Sequence, residues 1–365
     1  MTTFEVLHIV PAAFDRERGV LGGAERYALE LARAMANRVR TGLLTFGERS
    51  DHHRLGNLDI VVERALFVRG QRTNPWTPKI VSWVARSEVV HCHQRAVVAS
   101  STAALAARLL RRPVFVTDLG GGGWDVSAYL DTGRWFDGHL HISEYSRAVS
   151  GHSTRPDAHV ILGGVDHQRF SPAQSSGRNG PVLYVGRLLP HKGINYLVEA
   201  VGHDIPLRII GMPYDDQFLG YLKRLSAGKR VEFQHGITDD ELISAYRSAS
   251  VVVLPSVYRT MYDVESRVPE LLGQTLLEAM ACEAPVICTN VASMPEIVLD
   301  GVTGFVVPPN DPAALRERIE ELLANPALAR EMGMAGRRRV LEHFDWMRVV
   351  DRCLTIYRKA GARSS

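Results

Sequence analysis

Short apolar runs alternate with polar-faced segments of helical period along almost the whole chain. In the first half FEVLHIV (4–10), RTGLLTF (40–46), EVVHCH (88–93), PVFVTDL (113–119), GHLHIS (138–143) and HVILGG (159–164) read as strands. Between them, GAERYALELARAMA (23–36) and AVVASSTAALAARLLRR (96–112) read as helices. The same grammar restarts with PVLYVGR (181–187), PLRIIG (206–211), RVEFQHG (230–236), SVVVLPS (250–256) and PVICT (285–289), and helices are expected near 193–202, 216–227, 239–247 and 274–282. Strands that are nearly continuous in apolar residues, each followed by a helix, predict α/β architecture with parallel sheets covered on both faces.

The stretch SPAQSSGRNGP (171–181) has no periodicity and is rich in Ser, Pro, Gly and Asn, which marks it as a linker. The expected division is therefore a Rossmann-like domain over 1–172 and a second over 173–345. A last helix follows at 346–365, a candidate to pack back on the first domain. Two doubly wound domains of this kind are expected to face each other across a cleft, with ligands at the C-terminal ends of the strands.

A length of 365 residues agrees with two domains. The 43 basic and 40 acidic residues leave a net charge of only +3, too balanced to make nucleic acid the default partner. No apolar run approaches the roughly 18 residues that a membrane span needs. The N-terminus MTTFEVLHIV has no basic leader region and enters a strand directly. Cys92, Cys282, Cys288 and Cys353 lack zinc-type spacing and read as reduced thiols of a cytoplasmic enzyme.

The candidate chemistry begins with VPELLGQTLLEAM (268–280), where Glu270 and Glu278 interrupt an apolar run. A buried carboxylate needs a polar partner. Eight residues of helix separate two carboxylates by about 12 Å, too far to share a proton or a metal ion but suited to the two ends of a long ligand. Pro269 and Gly273 place the helix start near Gln274. Glu270 then lies in the preceding loop, and the N–H groups of Gly273, Gln274, Thr275 and Leu276 are expected to be unpaired and available to a phosphate. Without a site, Glu278 would simply be a surface residue of an amphipathic helix.

VGRLLPHKG (185–193) ends a strand at Gly186, delivers Arg187 to its tip and sets Lys192 before a helix, so that both cations could converge on a diphosphate. Ile237, in the loop after a strand, could offer backbone groups to a base, and Ser293 and Glu296 could line the same pocket. In the first half, Gly22 and Gly23 open a helix after strand one, a second position suited to an anion. The dinucleotide fingerprint G-x-G-x-x-G is absent there, which argues against a nicotinamide enzyme.

His91 and His93 lie two apart on one strand face, as acceptor contacts or structural hydrogen-bond partners; no further ligand at suggestive spacing supports a metal. Gly120 to Gly123 suggest close backbone approach to a ligand, with Gly120 and Gly121 on the acceptor side. Asp118 just before them either meets a sugar or acceptor hydroxyl or caps the glycine loop.

The ordered series GR…HKG, LPS, PELLGQTLLEAMA and PVICTNVASMPEIVLDGVTGFVVPPND resembles family 4 (group 1) retaining glycosyltransferases of the GT-B fold, most strongly over 181–311. The resemblance implies that a sugar moves from a nucleoside-diphosphate sugar donor to an acceptor hydroxyl of a glycan, lipid-linked saccharide or small metabolite. No Asp-x-Asp motif stands at a strand end and the cations present can replace a divalent ion, so no metal cofactor is expected. The resemblance also implies that Arg187 and Lys192 hold the diphosphate, Glu278 the ribose and Glu270 the sugar hydroxyls, and that Gly22–Gly23 face the donor phosphate. Two departures stand out. Asp118 occupies the stretch where many relatives carry His, and Gly163 in ILGGVD replaces a typical Asn. The competing classes are a nucleotide-sugar epimerase or isomerase of the same fold and a non-catalytic nucleotide-sugar binding protein. The basic segments RLLRR (108–112) and RKAGAR (358–363) raise the expectation of peripheral contact with an anionic membrane, with solvated helix faces as the plainer alternative.

Overall fold

A computed structural model describes residues 4–11, 14–15, 19–20, 23–71, 73–119, 124–173, 177–266 and 269–364. The expectations for Gly22 and for Gly120 to Gly123 lie outside the described residues. The chain divides into two compact units, 1–164 with 346–365, and 165–345. The division falls ahead of the expected boundary at 172/173. Val165 donates to the Phe344 carbonyl, and Arg247 Nε donates to the Ser171 carbonyl, so residues 165–171 already belong to the second unit.

The first unit is built on β1 (Phe4–Ile9), α1 (Gly23–Met35), β2 (Thr41–Gly47), β3 (Asp51–Leu55), β4 (Leu58–Arg64), α2 (Lys79–Ala85), β5 (Ser87–His93), α3 (Val98–Leu109), β6 (Val114–Thr117), β7 (Gly138–His141), α4 (Glu144–Val149) and β8 (Ala158–Val160). Its sheet runs β8-β7-β6-β5-β1-β2-β4-β3, parallel except for the edge pair β3–β4. Strand order reverses between β1 and β5, where His8 pairs in register with His91. The core is made by Leu7, Ile9, Leu44, Val90, Val114 and Val116 of the strands against alanines of α3. The hairpin β3–β4 was not legible as a pair of strands because DHHRL is polar and mostly exposed, as an edge strand can be.

The second unit contains β9 (Val182–Val185), α5 (Ile194–Val201), β10 (Leu207–Ile210), α6 (Asp216–Leu225), β11 (Val231–Gln234), α7 (Asp239–Ser248), β12 (Val252–Leu254), α8 (Gln274–Ala281), β13 (Val286–Thr289), α9 (Met294–Ile297), β14 (Phe305–Val307), α10 (Pro312–Ala324) and α11 (Pro326–His343). The sheet order is β11-β10-β9-β12-β13-β14, all parallel, with its reversal between β9 and β12. Asp311 and Asn325 cap α10 and α11, each ahead of a proline in the first turn. Gly333 lets α11 lie directly on the turn after α8: a Cβ there would stand 2.1 Å from the Glu283 carbonyl oxygen.

The last helix, α12 (Trp346–Ser364), groups with the first unit and buries Trp346, Val349, Val350, Cys353, Leu354 and Tyr357, a stripe of helical spacing. Trp346 packs edge-on against Tyr27 of α1, with ring centroids 5.3 Å apart, and the Tyr357 hydroxyl lies 2.7 Å from His91 Nδ1. All four cysteines are buried and unpaired. Among the described residues no helix is long and apolar enough to cross a membrane.

Tyr357 is therefore the polar attachment of α12 to the centre of the first sheet. Tyr357→Phe strands a buried imidazole nitrogen and is expected to destabilise the first unit by about 1–3 kcal/mol. A lowered urea midpoint with unchanged slope is the expected reading; an unchanged midpoint would show that the hydroxyl contributes nothing.

Candidate functional site

The second unit gathers its polar side chains at the C-terminal ends of β9 and β12, where strand order reverses, the place at which doubly wound sheets bind ligands. Beyond β9 come Gly186, half-buried, and Arg187, exposed, whose guanidinium lies 6.0 Å from the Tyr214 ring. Lys192 follows in a short turn. Gly193 is left-handed (φ +66°), and a Cβ there would stand 1.9 Å from the Pro255 carbonyl oxygen. Only glycine lets this turn close against the end of β12 and hold Lys192 beside it.

Lys192 is only 8% exposed. Its Nζ donates to Glu270 Oε2 at 2.5 Å and reaches the Pro269 carbonyl at 3.4 Å. A buried ammonium requires such a partner. Glu270 Oε1 in turn accepts the Gly273 N–H at 3.3 Å, so one carboxylate spans the lysine and the start of α8. Gly273 is the N-cap of α8 in the left-handed conformation, φ +76°. The Ser293 hydroxyl, fully buried, lies 3.5 Å from the Glu270 carbonyl oxygen.

This corrects the expectation for the start of α8. The Gly273 N–H is bound by Glu270, and the Leu276 N–H donates to the Gly273 carbonyl at 2.9 Å, so two of the four groups expected to be unpaired have partners. Gln274 and Thr275 form the first turn, and Thr275 Oγ1 donates to the Val185 carbonyl at 3.0 Å, tying α8 to the end of β9. Leu276 is buried in the core.

Glu278 is not a surface residue. It is 4% exposed, and its Oε2 accepts the Tyr246 hydroxyl at 2.9 Å. Burial and the neighbouring Glu278 hold the Tyr246 phenol well above its ordinary range, so it stays a donor. Ile237 is half-buried just ahead of α7, whose Thr238 N-cap and Glu241 form a capping box. Glu296 is half-buried on α9.

Two side chains register the mixed charge of the site. His191 is driven down to about 4 by burial, then by Lys192 and Arg187, against an opposing pull from Glu270. Tyr184, which donates to the Arg187 carbonyl at 3.0 Å, is raised by burial and by Glu270. Neither was singled out by sequence reasoning. Nor was Arg178, whose guanidinium donates to the Tyr246 carbonyl at 2.8 Å and to the Cys282 carbonyl, fastening the ends of α7 and α8 together.

In the first unit, Gly23 is exposed at the first position of α1. Asp118 is half-buried just past the end of β6 and exerts an upward pull on His152. His91 and His93 are 0% and 1% exposed, so the expected acceptor contact gives way to internal hydrogen bonding. His91 Nε2 lies 2.8 Å from Thr117 Oγ1, and His93 Nε2 lies 2.9 Å from His8 Nδ1. The pairing of β1 with β5 also supplies the third ring that sequence spacing could not reveal: ring nitrogens of His8, His91 and His93 lie within 4.8 Å of one another, as metal ligands could. Five of these six nitrogens have polar or sulfur partners, with His8 Nε2 3.3 Å from Met35 Sδ; His93 Nδ1 is enclosed without a partner.

The comparisons with known proteins agree with this architecture. Residues 168–339 match the family described as Glycosyl transferases group 1, and residues 21–169 match Glycosyltransferase Family 4. The chain is 30% identical over 278 residues to the alpha-maltose-1-phosphate synthase of Mycobacterium tuberculosis, covering 66% of this chain and 68% of that one. It is 32% identical over 249 residues to a GDP-mannose-dependent alpha-(1-6)-phosphatidylinositol monomannoside mannosyltransferase of Mycolicibacterium smegmatis, with 61% and 64% covered. The crystal structure of HepE from Anabaena in complex with UDP superposes with a TM-score of 0.76 at 17% identity, over 97% of this chain and all of that one.

The fold is that of a GT-B glycosyltransferase, two Rossmann-like units with parallel sheets. The chain belongs to the group 1, family 4 glycosyltransferases, enzymes that transfer a sugar from a nucleotide sugar to an acceptor.

The buried imidazoles set an acid limit on the first unit. Burial drives His8 from 6.5 down to about 3 and holds His91 and His93 well below their ordinary range. All three are neutral in the folded unit, whereas the unfolded chain takes up protons below about pH 6.5. Stability is therefore full above pH 6.5 and falls as the pH drops from there toward 3. Urea midpoints at pH 7.5, 6 and 5 are expected to decline in that order, and a flat profile would contradict neutral burial.

Proposed function

We propose that this enzyme is a retaining, metal-independent glycosyltransferase whose second unit binds the nucleoside-diphosphate sugar and whose first unit supplies the acceptor side. The observation that carries the reading is the union of Lys192, Glu270 and the start of α8 at the strand reversal of the second sheet. An ammonium and a helix N-terminus beside each other favour a phosphate, and Arg187 at the tip of β9 adds a fork of donors. Glu278, oriented by Tyr246, has the chemistry to accept from the paired hydroxyls of a ribose. Glu270 is assigned to the hydroxyls of the transferred sugar, and Gly186, Ile237, Gln274, Thr275 and Leu276 to the backbone walls around the donor.

In the proposed step the bond between the anomeric carbon and the diphosphate oxygen breaks, and the acceptor oxygen bonds to the same face of the sugar. The acceptor proton passes to the departing phosphate. Negative charge then grows on that phosphate, and Lys192, Arg187 and the N-terminus of α8 stabilise it more than they stabilise the bound donor. Preorganised charge of this kind acts on the transition state. With two fixed cations at the diphosphate, no divalent ion is required for the role.

Lys192→Ala and Arg187→Ala are each expected to lower kcat by roughly 100-fold or more, as loss of one stabilising donor commonly does. Wild-type turnover is expected to survive EDTA, with product of the donor's anomeric configuration by NMR. Near-normal turnover in both alanine variants would remove the diphosphate assignment. Loss of activity in EDTA, restored by a divalent ion, would remove metal independence.

A further inference from the structure

The two cations assigned to the diphosphate are held in different ways. Lys192 is buried against the carboxylate of Glu270, whereas Arg187 stands exposed at the tip of β9. Among the described residues no carboxylate pairs with Arg187. An exposed arginine has many rotamers, and fixing it on a ligand costs affinity. The group that the fold sets beside this guanidinium is the ring of Tyr214, with the guanidinium carbon 6.0 Å from the ring centroid.

The roots of both side chains are tied to the sheet. Beyond the adjacent strands β9 and β10 the chain continues as two parallel segments. The Gly186 N–H donates to the Ile210 carbonyl and the Leu188 N–H to the Met212 carbonyl, each at 3.0 Å, and Leu188 bridges Pro213. A Cβ at Gly211 would stand 1.8 Å from the Gly186 carbonyl oxygen, so only glycine lets the segments lie this close. Tyr214 follows Pro213, whose ring fixes its own φ. It precedes Asp215, which caps α6 by accepting the Phe218 N–H at 2.9 Å. From within the sheet, the buried Tyr184 hydroxyl donates to the Arg187 carbonyl at 3.0 Å. The Tyr214 side chain is nevertheless 58% exposed, so burial does not account for where it stands.

The chemistry of the pair does. An aromatic ring attracts a guanidinium through its quadrupole and needs none of the in-plane N–H donors. A carboxylate in the same place would occupy the fork and neutralise the charge that a phosphate is to meet. We propose that Tyr214 is a positioning residue for Arg187, holding its guanidinium toward the donor diphosphate while the N–H fork stays free. Tyr214 touches neither nucleoside nor sugar in this role. Bound donor excludes water from the pair and strengthens it. The proposal rests on the reading of Arg187 as a diphosphate ligand. It gives the two cations distinct preparations: Lys192 exchanges a carboxylate for the donor, and Arg187 keeps its partner when the donor binds.

The experiment is a double-mutant cycle read by calorimetric titration. UDP, GDP and ADP are titrated into wild type, and the tightest binder serves as the probe, with its nucleoside as control. Arg187→Ala is expected to weaken the diphosphate roughly tenfold or more. Tyr214→Leu is expected to weaken it about fivefold, and Tyr214→Phe, which keeps the ring, to stay within about twofold of wild type. Adding Tyr214→Leu to Arg187→Ala is expected to change affinity by less than about twofold, because the ring acts only through the arginine. Nucleoside affinity is expected to be the same in all of these proteins. Exposure of Tyr214 keeps folding out of the result: melting temperatures are expected to agree within a few degrees.

A silent Tyr214→Leu, or an equal loss with and without Arg187, would overturn the positioning role and leave the donor reading standing. A loss shared by the nucleoside would make Tyr214 a base contact and overturn the proposal in the same way. A loss in Tyr214→Phe as large as in Tyr214→Leu would show that the ring is not the active part. An Arg187→Ala protein that binds the diphosphate as wild type does, or a wild type that binds none of the three, would count against the donor reading itself and take this proposal with it.

Discussion

A lysine that is almost entirely buried must keep an anion beside it, and much of the second unit serves that requirement. Lys192 reaches its position because Gly193 admits the Pro255 carbonyl where any side chain would collide. Its partner Glu270 comes from a loop 78 positions away and is held in turn by the Gly273 N–H at the start of α8. That helix is tied to β9 by Thr275 and overlaid by α11 through the close approach at Gly333. Sheet order, a left-handed turn, a helix start and a helix contact thus converge on one ion pair. Removing either partner would leave a charge in poor solvent, which makes the pair costly to break and its geometry well defined.

In the proposed reaction the pair has a second use. Glu270 neutralises Lys192 and engages the start of α8, the two groups assigned to the donor diphosphate. Bound donor would compete with the carboxylate for both, and the carboxylate would turn to the sugar hydroxyls. Glu278 has no such freedom, being buried and held by Tyr246. The two glutamates of the apolar run, similar in sequence, are thus different in kind: one in a loop with a cation to exchange, the other fixed within a helix.

The β/α alternation was legible from apolar periodicity, because strands buried on both faces and helices with one apolar stripe leave distinct patterns. The polar edge strand β3, the weakly patterned α10 and α11, and the early unit boundary were not. Their placement depends on tertiary neighbours: β4 for the edge strand, α8 for Gly333, and Phe344 for Val165. At the candidate site, residue types and strand ends were readable, but partners were not. Lys192 with Glu270, Glu278 with Tyr246 and His8 with His91 and His93 join residues far apart in sequence. Local spacing placed the helix start correctly near Gln274 yet misjudged its N–H groups, since a carboxylate from the preceding loop returns to bind one of them.

The claim at the centre of this account is that Lys192 recognises the diphosphate and not the nucleoside or the sugar. It is tested most directly by measuring, for wild type and Lys192→Met, the affinity of a nucleoside diphosphate and of the corresponding nucleoside. Wild type is expected to favour the diphosphate strongly. Lys192→Met should lose at least tenfold of that preference while binding the nucleoside as before. An undiminished preference for the diphosphate in Lys192→Met would contradict the account.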